Sequence, residues 1–328
     1  MSSQITMQDV SDAAGVSRAL VSVVLSGRPS RMKASEATRA RILAAASRLG
    51  YVVNQNARGL RMSRSFLIGV LTYDVTSSFI PEILSGMESE LLHTGYSLLL
   101  GTYENGKELQ ERLIQFRKRH IDGVVTICTD EGLCRHVEES CKDLLRVFVG
   151  CNPGGQGASV MGDGDSLARL AADAFYERGH RTFCHLGNIP RPGWHKRLEE
   201  LGVPPSCRIE THCTNTIEEW QCATLRTLTE HPGLTAIFAD SDELGAAVVK
   251  AASSMGRRVP EDLAVLGVDD TALCRLLTPE LASIRQPRRE QGELAARLML
   301  AQFQGGPAQN HLLPVELIAR QSLGGPVR

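Results

Sequence analysis

Thr6-Met7-Gln8-Asp9-Val10-Ser11-Asp12-Ala13-Ala14-Gly15-Val16-Ser17-Arg18-Ala19-Leu20-Val21-Ser22-Val23-Val24-Leu25 holds two short apolar-faced segments split by a glycine. Thr6, with Asp9 three residues on, can cap a helix start, and Val10, Ala13 and Ala14 supply that helix's apolar face. Gly15 stands where a tight turn needs a positive φ; Val16 reads as a buried turn residue and Ser17 as the N-cap of a second helix. That helix, from Ser17 to Leu25, buries Leu20, Val21 and Val24 and stops at Gly27-Arg28-Pro29. Two short helices around a glycine turn predict a helix-turn-helix. A third helix over Ser35 to Leu49, with Ile42, Ala45, Ala46 and Leu49 inside and Gly50 as its stop, completes the unit.

Charge sets this head apart from the rest. Residues 1–64 carry ten Lys/Arg against Asp9, Asp12 and Glu36, a net +7, whereas the remaining residues hold 26 basic and 34 acidic groups, a net −8. A basic module fused to an acidic body points to a polyanionic partner for the small part. The start of the second helix is expected in the major groove, where Arg18 and Ala19 lead and few residues per turn reach base edges. Arg18 reads a base or contacts a phosphate; Ser17 caps the helix or contacts a phosphate, and Ser22 suits a phosphate contact.

Beyond Ser65, short aliphatic runs alternate with amphipathic stretches. Strands are expected over Phe66–Leu71, Ser97–Gly101, Gly123–Ile127, Arg146–Val149, Thr182–Leu186, Ala236–Ala239 and Leu263–Val268. Helices are expected over Glu82–His93, Glu108–His120, Ser166–Arg178 and Leu244–Ser254. That order predicts an α/β body of doubly wound parallel sheets, and its length favours two similar lobes. The boundaries read as a head at 1–52, a hinge or linker at 53–64 and a body at 65–328. Ligands of such sheets bind beyond the carboxyl ends of the strands, where Tyr73, Asn152, Ser241 and Asp269 stand.

The ordered series Thr6 to Val10, Ala14 to Ser17, Val21-Ser22, Thr38-Arg39, Leu49-Gly50-Tyr51 and Asn54 to Arg61 resembles the lactose/galactose repressor family of bacterial transcriptional regulators. The likeness continues through Ile121-Asp122-Gly123, Gly179-His180-Arg181, Gly267-Val268-Asp269-Asp270 and Ile284-Arg285-Gln286-Pro287. The resemblance implies a helix-turn-helix head and a two-lobed body like the periplasmic sugar-binding proteins. It places Thr6, Ser17, Arg18, Ala19, Ser22 and Val23 at the DNA, and Val23 stands where the family commonly has arginine. It also implies a hinge helix that enters the minor groove through Asn54, Ala57, Arg58 and Leu60, with Leu60 as the wedge between base steps. Asp269 matches an acid that binds effector hydroxyls. Arg191 is one residue out of register with the family's effector-binding arginine, so it either replaces that arginine or the contact is gone.

No calcium loop, phosphate loop or zinc rhythm is found, so no cofactor or metal is expected. Gly154-Gly155-Gln156-Gly157 reads as a loop connecting the lobes. Nine cysteines without a Cys-x-x-Cys pair, and a start without the apolar core of a signal peptide, read as reduced thiols in a cytoplasmic chain with no membrane partner. The expected function is a sequence-specific transcriptional regulator, a repressor acting as a homodimer on a double-stranded operator and controlled by a sugar, polyol or nucleoside. A ligand-independent DNA-binding regulator, or a small-molecule binding protein without DNA function, are the alternatives.

Overall fold

The computed structural model describes residues 5–26, 34–51, 64–214 and 216–324, and the chain divides into two compact units at Phe66/Leu67. The first unit is three helices: α1 (Met7–Ala14), α2 (Arg18–Ser26) and α3 (Glu36–Leu49). Thr6 and Asp9 form a reciprocal capping box, and Gly15 at φ 60° ends α1 in the left-handed region that glycine adopts without penalty. Ser17 Oγ accepts the Leu20 N–H at 3.3 Å, and Ser35 caps α3 through the Thr38 N–H. Val10, Ala14, Val21, Val24, Ile42, Ala45 and Ala46 close a small core.

The second unit carries two six-stranded sheets. The first lobe contains β1 (Leu67–Thr72), α4 (Ile80–Leu91), β2 (Ser97–Thr102), α5 (Gly106–Lys118), β3 (Gly123–Ile127), α6 (Glu131–Ser140), β4 (Leu145–Val149) and β5 (Ala158–Gly162). The second contains α7 (Gly164–Glu177), β6 (Phe183–Leu186), α8 (Pro192–Glu200), β7 (Arg208–Thr211), α9 (Ile217–Glu230), β8 (Ala236–Ala239), α10 (Asp242–Ser254), β9 (Ala264–Val268), α11 (Leu273–Leu276) and β10 (Ala282–Arg285). The chain then returns to the first lobe for α12 (Arg288–Phe303) and β11 (Asn310–Leu313) before β12 (Glu316–Ile318) joins the second sheet. The orders are β11-β5-β4-β3-β1-β2 and β12-β10-β9-β8-β6-β7, parallel throughout except at β10–β12.

Both faces of each sheet are buried, as parallel sheets require. Along β1, Ile68 and Val70 face α4 and α12, whereas Leu71 faces α5 and α6. In the second sheet, Phe238 packs towards α7 and α8, and Ile237 and Ala239 pack towards α9 and α10. The α4–α12 contact depends on two glycines. A Cβ on Gly86 would lie 2.1 Å from the Arg289 carbonyl oxygen, and one on Gly292 would lie 2.0 Å from that of Ile83. Gly292→Ala is therefore expected to destabilise the body by about 1–3 kcal/mol, since backbone rather than a flexible side chain must yield. A thermal melt that matches the unsubstituted chain would contradict this close approach.

Two readings of the sequence need correcting. Gly154 to Gly157 does not join the lobes: it links β4 to β5 within one sheet. Its glycines let the loop wrap the Glu138 carboxylate, which lies 2.2 Å from where a Gly155 Cβ would stand, accepts the Gln156 N–H at 2.7 Å and pairs with buried Arg146. The lobes are joined instead at residues 162–164, 285–288 and 313–316. Nor are all nine cysteines thiols. Cys134 and Cys151 are bonded, because the first turn of α6 and the loop just past β4 bring them into the same core.

Candidate functional site

In the head, core packing decides which side of α2 is free. Val21 and Val24 are buried, so Arg18 and Ala19, one turn before Ser22 and Val23, begin the opposite side of the helix. Ser17, Arg18 and Ala19 are exposed, whereas Ser22 and Val23 are half-buried. Thr6 is exposed and held by Asp9. Ser11 Oγ donates to the Val16 carbonyl at 2.6 Å, which fixes the turn that presents α2. An exposed arginine at the N-terminal end of a rigidly seated helix is the arrangement that reads base edges in a major groove. Asn54, Ala57, Arg58 and Leu60 lie outside the described residues.

Segments beyond the carboxyl ends of the two sheets meet where the lobes face each other. The Ser78 N–H, in the loop after β1, donates to Glu243 Oε1 on the first turn of α10 at 3.4 Å. Tyr73 follows β1 and is exposed. Asn152, past β4, is exposed and folds its Oδ1 back onto the Gly154 N–H at 2.9 Å. Ser241 Oγ accepts the Leu244 N–H at 3.1 Å as the N-cap of α10, which leaves its hydroxyl proton to donate.

Arg191 sits one residue before α8, and its Nε donates to Asp240 Oδ1 at 3.2 Å. Asp240, just past β8, also accepts His185 Nε2 at 3.0 Å and the Ile189 N–H at 2.7 Å. Burial would raise the Asp240 carboxyl, but His185, Arg191 and the Ile189 N–H together hold it below the usual carboxylate range. His185 reaches on to Glu210, which binds His195 at 2.6 Å. Asp240 thus fixes the 187–191 loop and orients Arg191. The terminal nitrogens of Arg191 have no hydrogen-bond partner among the described residues. Sequence reasoning missed Asp240; the signal was a carboxylate at the carboxyl end of a strand.

Asp269 is held differently. It is buried, at φ 102°, and its Oδ1 accepts Gln286 Nε2 and Arg288 Nε, each at 2.9 Å, and Arg288 Nη2 at 2.7 Å. Arg288 opens α12 of the other lobe and lies over the Phe79 ring, 4.4 Å from its centroid. Asp269, Gln286 and Arg288 also line an open groove with Glu82 at the second crossover. The Asp269–Arg288 pair is therefore an interlobe tie, and neither partner's role in it was visible in the sequence.

Asp242 is an inner support rather than a cleft residue. Its carboxylate accepts the Thr271 N–H at 2.7 Å and the Ser283 hydroxyl at 2.6 Å. Burial pushes its carboxyl up to about 7. A raised acid favours its protonated form in the fold, so its contribution to stability is present below the ordinary pKa and is lost as pH rises through about 7. The melting temperature of the unsubstituted chain relative to Asp242→Asn is expected to fall between about pH 5 and about pH 8. Parallel profiles would contradict that assignment.

Residues 6–54 match the family model described as bacterial regulatory proteins, lacI family, and residues 172–323 match that of a periplasmic binding protein-like domain. The chain is 31% identical to the ribose operon repressor of Bacillus subtilis, across 97% of this chain and 98% of that protein. It is 29% identical to catabolite control protein A of Priestia megaterium, with 90% and 91% covered. Among solved structures, the lac repressor dimer bound to operator and the anti-inducer ONPF shares the fold, with a TM-score of 0.83 at 24% identity over 98% of this chain and 99% of that one. The complex of the transcriptional regulator CelR with cellobiose gives 0.71 at 26% identity, covering 97% and 99%. Among the described residues, no helix is long and apolar enough to cross a membrane.

Proposed function

The chain belongs to the lacI family of DNA-binding bacterial regulatory proteins, and on that premise we propose that it is a homodimeric repressor whose DNA affinity is set by a small polyhydroxylated effector, a sugar or nucleoside, in the cleft. Residues 1–52 are the DNA-binding head, 53–64 the hinge and 65–328 the effector-binding and dimerising body. Arg18 and Ala19 read bases, with Thr6, Ser17, Ser22 and Val23 around them. Asn54, Ala57, Arg58 and Leu60 form the hinge contact, Leu60 as a wedge in the minor groove. Tyr73, Asn152, Arg191, Ser241 and Asp269 contact the effector.

The observation that carries the effector reading is Arg191. Its guanidinium is oriented by Asp240 while its terminal nitrogens have no hydrogen-bond partner among the described residues, at the end of the second sheet. A planar donor of this kind can hold two neighbouring hydroxyls at once, and carboxylates beside it accept from the same hydroxyls. Because Asp269 is tied to Arg288 of the other lobe, an effector that bonds Asp269 competes with that tie and shifts the lobes. The linkage is reciprocal: an effector that weakens DNA binding tenfold binds the DNA complex tenfold more weakly, about 1.4 kcal/mol.

A second reading, ligand-independent DNA binding, is favoured by the same tie, since Asp269 Oδ1 is already taken by Gln286 and Arg288. Calorimetry of the full chain against ribose, cellobiose, lactose and nucleosides separates the two. Saturable binding of one compound, lost in Arg191→Ala, is the expected result. No heat from any of them makes the ligand-independent reading the better one.

A further inference from the structure

We propose that Cys134 and Cys151 form a reversible dithiol–disulfide site, oxidised by hydroperoxides, that fixes the Asn152 turn on the first lobe's wall of the cleft. The pair is 17 residues apart in sequence and bonded in the fold. Cys134 lies in the first turn of α6, which follows β3; Cys151 lies two residues past β4, the neighbouring strand. The bond therefore ties the first turn of α6 to the adjacent loop after β4 at the carboxyl end of one sheet.

Local geometry directs its effect to Asn152. Gly150, at φ 96°, passes so close to the strand beside it that a Cβ would lie 2.9 Å from the Cys128 carbonyl oxygen. This turn sends Cys151 into the core, 4% exposed, while the next residue, Asn152, is exposed and closes its own turn onto the Gly154 N–H. A crosslink at Cys151 thus restrains the residue immediately beside it. Both cysteines are buried, Cys134 at 0% and Cys151 at 4% exposure, and Cys151, next to exposed Asn152, is assigned the first encounter with a small oxidant. Cys128 and Cys141 share the same core but are not bonded, and burial pushes the Cys141 thiol up to about 11, which suppresses its thiolate.

With hydrogen peroxide the chemistry balances as follows. The Cys151 thiol, attacking as its thiolate, breaks the O–O bond and becomes a sulfenic acid, and water leaves. The Cys134 sulfur then attacks the Cys151 sulfur; the S–S bond forms, the S–O bond breaks, and hydroxide departs with the Cys134 proton as a second water. Two thiols are oxidised and one peroxide is reduced to two waters. A dithiol reductant reverses the step by exchange at Cys151. Both sulfurs lie in the first lobe, so the chemistry needs neither effector nor DNA.

The test uses the full chain, reduced with a phosphine, cleared of reductant and treated with hydrogen peroxide. Intact mass is expected to fall by two hydrogens, proteolysis to release linked peptides containing Cys134 and Cys151, and dithiothreitol to restore the original mass. Hydrogen exchange of the amides at 150–157 is expected to be several-fold slower in the oxidised than in the reduced chain. Cys134→Ser should give no crosslink and leave Cys151 as a sulfenic acid trapped by dimedone. The oxidised-against-reduced comparison on the unsubstituted chain holds even if that variant folds poorly. Nine alkylatable thiols after peroxide, a different crosslinked pair, or equal exchange at 150–157 in the two states would each overturn the proposal.

Discussion

DNA affinity of the full chain is expected to fall on the order of 10³-fold between about 50 and about 200 mM salt, and to be lost when residues 1–64 are removed. The cause is the +7 charge of that segment, which displaces counterions from the phosphates it meets, whereas the −8 body is repelled by the same backbone. Within this polyelectrolyte effect, Arg18 has a separable role. It is exposed at the N-terminal end of α2, where a guanidinium reaches the donor and acceptor edge of a base. Arg18→Ala is expected to cost about 1–3 kcal/mol and to relax preference at one base pair per half-site. A uniform loss over all sequences, with a shallower salt slope, would make Arg18 a phosphate contact instead. DNA binding by the isolated body at full strength would mean that the head is not the DNA-binding part.

Asp269→Ala is expected to destabilise the body by about 3–5 kcal/mol, because it leaves the buried Arg288 guanidinium without its carboxylate. The side chains of Asp269 and Arg288 are only 6% and 7% exposed, so water cannot replace the lost partner cheaply. Asp269→Asn keeps an acceptor for Gln286 and Arg288 and is expected to cost less. Urea unfolding monitored for both variants distinguishes them, provided the denaturant slope is unchanged. A loss below about 1 kcal/mol for the alanine variant would mean that the interlobe tie contributes little. The same pair of variants also tests the cleft. If Asp269 anchors an effector, Asp269→Asn folds but weakens the ligand response, a separation that Asp269→Ala alone cannot provide.

What the sequence reveals of the fold and the candidate site depends on the range of the interactions involved. The head was legible because its signals are local: Thr6 with Asp9, Gly15, Ser17 and Gly50 each act within four residues and occupy the position read for them, while Ser35, read as the first residue of the third helix, is its N-cap. Gly123–Ile127 and Ala236–Ala239 were found to the residue, since both are short apolar runs buried on two faces. The edge strands β7, β11 and β12 were not. Arg208–Thr211 and Asn310–Leu313 mix polar and apolar residues and are half-exposed, and β11 is a strand only because it pairs with β5, about 150 residues earlier. The candidate cleft followed the same rule. Arg191 and Asp269 were singled out by position, but their partners Asp240, Arg288 and Gln286 come from other strands or across a crossover. The Gly154–Gly157 loop was misplaced for a related reason. Its glycines answer to the Glu138 carboxylate, which no local pattern reveals.

The chain is expected to recognise DNA sequence-specifically and with two-fold symmetry. Selection of the full chain against a library of random duplexes at about 100 mM salt tests it most directly, because at that ionic strength non-specific phosphate binding is weakened while base contacts persist. Recovery of one palindromic motif whose half-sites are related by a two-fold axis is expected, with loss of that motif when residues 1–64 are absent. Recovery of no enriched sequence, or of a motif without two-fold symmetry, would contradict it.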